Sequence, residues 1–128
     1  MPRLATITLL VPDYDTGLAF FVSGLGWTCT ADEDQGRKRW VTVSPDPEGG
    51  AALLLSEAMT PLQTRTVGAQ TGDRVAFFLE TDDFGRDAAR ITAAGGTFLE
   101  APRQEPYGTV AQWRDPFGNL WDLLQRTG

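Results

Sequence analysis

The chemistry open to this 128-residue chain is limited first by what it lacks: it has no histidine, and Cys29 is its single cysteine. Without histidine no Ser/His/Asp relay can form, and a lone thiol has no imidazole to activate it. One cysteine also excludes an intrachain disulfide and a cysteine-based zinc cluster. Lying after Trp27 in a strand-like run, Cys29 reads as a small buried hydrophobe. What remains is the chemistry of carboxylates, hydroxyls and aromatic rings. Asp122 and Glu80 lie in or at the end of apolar runs, and as an acid–base pair they would need pKa values shifted by burial. An all-carboxylate cation site would require Glu80 and either Glu57 or Glu100 to converge on Asp122. Trp40, Trp113, Tyr107 and Phe78 are rings that could wall a ligand site by stacking. No phosphate loop is present, and Gly24-Leu25-Gly26 lacks the spacing of a dinucleotide fingerprint.

These side chains must be positioned by a sequence that is written twice. Residues 7–27 and 77–97 align at a shift of 70 without a gap, matching Leu9 with Leu79, Asp13 with Asp83, Ala19 with Ala89 and Gly26 with Gly96. Further on, Asp46-Pro47-Glu48-Gly49 meets Asp115-Pro116-Phe117-Gly118 at a shift of 69, as does Leu54 with Leu123. A unit repeated only twice points to a paired domain rather than a solenoid. Strands are predicted at 4–11, 27–31, 39–44 and 51–56, with a helix after Asp13 or Asp15 that buries Leu18, Phe21, Val22 and Leu25 and stops at Gly24 and Gly26. A polar turn is expected at 32–36 and a tight one at 45–50.

Module one therefore spans 4–56, a connector of weak apolar periodicity 57–73, and module two 74–126, all within one domain covering 1–128. In module two, strand 75–81 leads to a helix capped by Asp82 or Asp83 and stopped by Gly95-Gly96. Strand 97–100, a proline-containing loop at 101–107 and a hairpin of 108–114 with 119–124 complete it. The fold class is α+β: two repeated βαβββ modules forming a curled mixed sheet around a shared cleft.

Strand alternation places Thr6, Thr8 and Leu10 on one face, Ala76, Phe78 and Glu80 on the equivalent face of the repeat, and Leu120, Asp122 and Leu124 together. With those faces lining the cleft, it holds the carboxylates Glu80 and Asp122, the Phe78 ring and small apolar groups, with Trp40, Trp113 and Tyr107 as walls. Structural roles compete at each position. Trp27 and Trp121 read as packing beneath the helices. Trp40 and Trp113 fit core or wall, and Tyr107 fits wall or turn. Asp122 fits ligand contact or strand hydrogen bonding, Glu80 reads as plain exposure at a strand end, and Asp13 and Asp83 read as helix caps.

Composition narrows the partners. A 41 % hydrophobic, 22 % charged chain is an ordinary globular protein. Its net charge of −6 argues against nucleic acid, because phosphate binders need a basic face. The one basic run, Arg37-Lys38-Arg39, reads as a solvated strand edge. No run is long and apolar enough to span a bilayer or act as a signal peptide, so a cytoplasmic location is expected.

The order strand–Asp–helix–Leu25-Gly26, Thr81-Asp82-Asp83, Ala93-Ala94-Gly95-Gly96, Pro106-Tyr107-Gly108 and Asp115-Pro116-Phe117-Gly118-Asn119-Leu120-Trp121-Asp122 resembles the glyoxalase/bleomycin-resistance/extradiol-dioxygenase group, the vicinal oxygen chelate superfamily. The resemblance covers nearly the whole chain except the connector. In metal-using members, two ligands come from the first strand of each module and two from each last strand. Carried over, these positions fall on Thr6, Ala76, Leu53 and Asp122, of which only Asp122 readily ligates a divalent metal. The metal site is thus degenerate, and no metal or other cofactor is expected.

Three functions follow from that reading. The first is metal-independent binding of a small aromatic or cationic molecule by Asp122, Glu80, Phe78, Trp40, Trp113, Tyr107 and Thr6. The second is a glyoxalase-like lyase or isomerase, with catalytic residues unassigned. The third is a regulatory or protein-docking subunit. A homodimer is expected from the open sheet edges and from the resemblance.

Overall fold

A computed structural model describes residues 1–128 as two compact units, Met1–Thr66 and Val67–Gly128. The first opens with β1 (Thr6–Val11), whose alternation sends Leu9 and Val11 into the core. Pro12 ends the strand and Asp13 starts the helix, accepting from the Thr16 backbone N–H at 2.7 Å and the Thr16 hydroxyl at 2.8 Å. Helix α1 (Tyr14–Leu18) then widens into a π-helical stretch over Ala19–Gly24. Gly17 of α1 is buried, as are Phe20, Phe21 and Leu25, while Leu18 and Val22 are only half-buried; from Ala19 on, each wider turn rotates the positions that follow. Gly17 permits close approach to the sheet: a Cβ there would stand 3.0 Å from Leu55 Cδ1 and 3.3 Å from Val11 Cγ1.

Strands β2 (Thr28–Asp34), β3 (Arg39–Ser44) and β4 (Ala52–Glu57) complete a four-stranded sheet in the order β1-β4-β3-β2, with β1 parallel to β4 and the rest antiparallel. Val41, Val43, Leu53 and Leu55 form its core face. Three sequence expectations change here. β2 runs on to Asp34, through the start of the expected polar turn. Arg39 explains the extension, pairing with Asp32 at 2.8 Å, reaching Asp15 at 3.1 Å and lying 5.7 Å over the Tyr14 ring. The basic run is therefore tied down at Arg39. Cys29, on the edge strand β2, is exposed rather than buried. The connector also carries a short helix, α2 (Pro61–Thr66), started by the Thr60 hydroxyl accepting from the Gln63 N–H at 3.1 Å.

In the second unit, β5 (Phe77–Glu80) leads to α3 (Phe84–Ala94). Asp83 caps this helix, accepting from the Arg86 N–H at 3.1 Å, and Gly95 closes it at φ +111°. β6 (Thr97–Phe98), β7 (Arg103–Glu105), β8 (Gly108–Arg114) and β9 (Leu120–Arg126) follow. β7 falls within the expected loop and pairs with β8 across the two-residue turn Pro106-Tyr107. The sheet order is β5-β9-β8-β6, with β5 parallel to β9. Ile91, Ala111, Trp113, Trp121 and Leu123 are buried, and the two indoles stack at 5.0 Å.

Each unit is thus a βαβββ module with a mixed sheet of the same strand order. One detail of the repeat changes. Thr42 pairs with Leu54 and Thr8 with Leu54, whereas Gln112 pairs with Asp122 and Phe78 with Asp122. The equivalent of Asp122 is therefore Leu54, at a shift of 68 (122 − 54), not Leu53. Leu53 lies in the core at 6 % exposure, as its true counterpart Trp121 does at 2 %. The physical reason is a β3–β4 connection two residues longer than the one joining β8 to β9.

Candidate functional site

On β3, Val41 and Val43 face the core, which turns Trp40, Thr42 and Ser44 to the opposite face. With Thr6 of β1 and Thr30 of β2 they line a pocket of about 290 Å³, to which Arg3 and the turn residues Pro47 and Gly50 also contribute. Thr30 reaches this face because a β-bulge lies between Cys29 and Ala31. The bulge leaves Thr30 as the extra residue, and its hydroxyl bonds that of Thr42 at 2.6 Å. Thr42 and Ser44 are buried at 7 % and 2 % exposure. The Ser44 hydroxyl accepts the Asp46 N–H at 3.2 Å. A broader groove of about 570 Å³, lined by Arg3, Leu4 and the turn residues Pro47 to Ala51, adjoins it. The pocket is thus an uncharged, hydroxyl-rich floor beside one indole, with a guanidinium at its rim.

The corresponding face of the second unit differs. Phe78 pairs in register with Asp122, which pairs with Gln112. Glu80 follows on β5 but is held at the surface by Arg126, 2.9 Å away. Glu100 accepts the Gln112 N–H at 2.8 Å and Arg103 at 2.7 Å, and Arg103 also meets Glu105 at 2.7 Å. Arg103 beside Glu100 holds that carboxyl below the usual range. Partial burial pushes the Asp122 carboxyl up; Arg103 pulls it down and Glu100 pushes it further up. Phe78 lies bare, at 68 % exposure.

Of the residues expected at a site, Thr6 and Trp40 therefore come together in the first unit, and Phe78, Glu80 and Asp122 in the second. Tyr107 is exposed in the β7–β8 turn. Trp113 is not a wall: it has no exposed surface and packs against Phe98 and Trp121. Sequence reasoning missed Arg3, Thr30, Thr42 and Ser44. Alternation from Trp40 could have found Thr42 and Ser44, but nothing local announces the bulge that delivers Thr30.

The donor set does not fit a divalent metal. Thr6 offers a hydroxyl, Ala76 and Leu54 offer nothing, and no three His, Cys, Asp or Glu side chains group closely enough to share an ion. In the second unit Glu80 pairs with Arg126 and Glu100 with Arg103, so neither joins Asp122 in a shared cation site.

Comparison with known proteins places this geometry. The model of the Glyoxalase/Bleomycin resistance protein/Dioxygenase superfamily matches residues 3–123. An uncharacterized protein of Shewanella frigidimarina is 46 % identical over 121 residues, covering 93 % of this chain and 90 % of its own. Among solved structures, UcmS2 is 29 % identical with a TM-score of 0.81, covering 97 % of this chain and 98 % of its own. TnmS3, an antibiotic binding protein from Streptomyces sp. CB03234, is 26 % identical with a TM-score of 0.77, covering 99 % and 98 %.

Proposed function

The chain belongs to the Glyoxalase/Bleomycin resistance protein/Dioxygenase superfamily, and we propose that within it the chain is a binding protein that holds a small aromatic molecule without a metal and without turning it over. The observation that carries this reading is the pocket on the first sheet. Trp40 offers a stacking face, and Thr6, Thr30, Thr42 and Ser44 offer hydrogen bonds. None of the lining side chains is a carboxylate, thiol or imidazole able to act as base or nucleophile. The likeness to TnmS3, itself an antibiotic binding protein, supports the same class. A cation would meet no carboxylate in this pocket, so the aromatic half of the expectation is the one retained.

One observation favours the competing reading, a glyoxalase-like lyase or isomerase: the Asp122 carboxyl is half-buried and raised, as a general acid or base would be. The two readings separate in one experiment. Untagged protein is analysed for bound metal, titrated with fused-ring aromatics by calorimetry, and the ligands are then recovered and identified. Binding proceeds with the ligand unchanged, and Trp40→Ala weakens it by about tenfold through lost stacking. A stoichiometric transition metal, or conversion that disappears in Asp122→Asn, overturns the proposal in favour of the enzyme.

A homodimer in the cytoplasm completes the proposal. The open edges of each sheet motivate the first. A single cysteine, Cys29, leaves the chain without an intrachain disulfide, which suits the reducing compartment of the second.

A further inference from the structure

Resting on that binding reading, we infer that the pocket on the first sheet selects aromatic molecules carrying an anionic oxygen, a carboxylate or phenolate, and rejects cations, with Arg3 and the Thr30–Thr42 hydroxyl pair setting the choice. The preference runs against the chain's overall charge of −6, so it must come from local arrangement.

Arg3 is the one ionisable side chain lining the pocket; Glu48 lies in the adjoining groove instead. None of the chain's ion pairs engages Arg3. By contrast Arg39, Arg86, Arg103 and Arg126 are all committed to carboxylates. The segment carrying Arg3 is anchored beside the sheet by the Ala52 N–H, which donates to the Ala5 carbonyl at 2.9 Å. A guanidinium donates five N–H bonds and accepts none, so its partner must be an acceptor, and a charged acceptor bonds it most strongly.

The floor points the same way. Thr30 and Thr42 share one hydrogen bond at 2.6 Å, which uses one hydroxyl proton and leaves the other to donate. Ser44 already accepts from the Asp46 N–H and keeps its own proton. Thr42 and Ser44 are more than nine-tenths buried, where an unmet donor is costly, so a ligand oxygen placed over them is well rewarded. A planar ring against Trp40 with its oxygens toward Arg3 and Thr42 satisfies all of these groups together.

The test uses three naphthalene probes of one size: 1-hydroxy-2-naphthoate (anion), 1-hydroxy-2-naphthamide (neutral) and 2-naphthylmethylammonium (cation). Each is titrated by calorimetry into the full chain, into Arg3→Gln and into Thr42→Val. The expected order is anion, then neutral, then cation, with about fivefold separating the first two. Arg3→Gln weakens the anion more than the neutral probe, whose carbonyl accepts more weakly, and brings the two within twofold of each other. Thr42→Val weakens both by about fivefold or more. Arg3 is exposed, so its variant tests recognition without risking the fold. A cation bound as well as the anion, or an anion preference that survives Arg3→Gln, overturns the inference while leaving aromatic binding intact. If none of the three binds at millimolar concentration, the binding proposal itself falls.

Discussion

Asp122 and Leu54 hold equivalent places in the two sheets, yet one is a half-buried carboxylate and the other a hydrocarbon. That single difference gives the second unit its titrating group. Burial is the largest influence on the Asp122 carboxyl and raises it; Arg103 pulls it down and Glu100 pushes it up, with a net rise, so the folded chain binds that proton more tightly than the unfolded chain does. The contribution to stability is therefore fully present below the ordinary Asp value and is lost as pH rises through the folded value. Asn resembles the protonated acid at every pH. Asp122→Asn should accordingly match the wild type in denaturant unfolding at pH 3 and exceed it at pH 7. A wild type more stable than the variant at pH 7 contradicts the assignment. Asp122 stood out in the sequence because an acid interrupts an apolar run. Its partner position did not, because the extra turn residues shift the register by one more place than the turn motifs suggest.

The turns joining the last two strands of each module share one device in two environments. Asp46 and Asp115 each accept the N–H two residues on, at 3.1 and 2.9 Å, and each backbone carbonyl accepts the N–H three residues on, at 3.1 and 3.0 Å. Asp46 lies at the surface. Asp115 is buried at 3 % exposure and also accepts from the Asn119 N–H at 3.0 Å, Asn119 Nδ2 at 2.8 Å and Trp121 Nε1 at 3.0 Å. Burial pushes its carboxyl up and these donors pull against it. Removing the acid strands four donors, three of them buried, so Asp115→Ala should cost about 3 kcal/mol in urea unfolding. Asp46→Ala, whose donor can turn to water, should cost less than about 1 kcal/mol. Equal losses would show that the motif, not its burial, carries the stability. At this scale the sequence was most legible where chemistry is local: Asp13, Asp83, Gly95 and the Asp-Pro-x-Gly turns act as read. It was least legible where geometry depends on neighbours, as in the π-helical stretch at Ala19–Gly24 and the short strand β7.

For the molecule as a whole, the outer strands are β1 and β2 in the first unit, and β5 at one edge with β6 and β7 at the other in the second. β2 is guarded by its bulge and by Asp32, Glu33 and Asp34. β5 carries the bare Phe78 ring, and β1 carries Ile7 at 36 % exposure. Exposed apolar groups on outer strands favour self-association, and light scattering behind size exclusion should give a dimer of about 28 kDa, twice the 14.0 kDa chain. A 14.0 kDa particle at micromolar concentration would refute it. The duplicated order of strands and helix, the cap and turn residues, and the lack of a histidine-based site were determined by sequence alone, because each rests on periodicity, local hydrogen bonding or residue type. The tertiary structure alone decided which of those residues meet. A bulge turned Thr30 toward Thr42, a two-residue difference in turn length put Leu54 opposite Asp122 in the repeat, and core packing took Trp113 away from the surface. Those outcomes depend on contacts between residues far apart in the chain, which local pattern does not record.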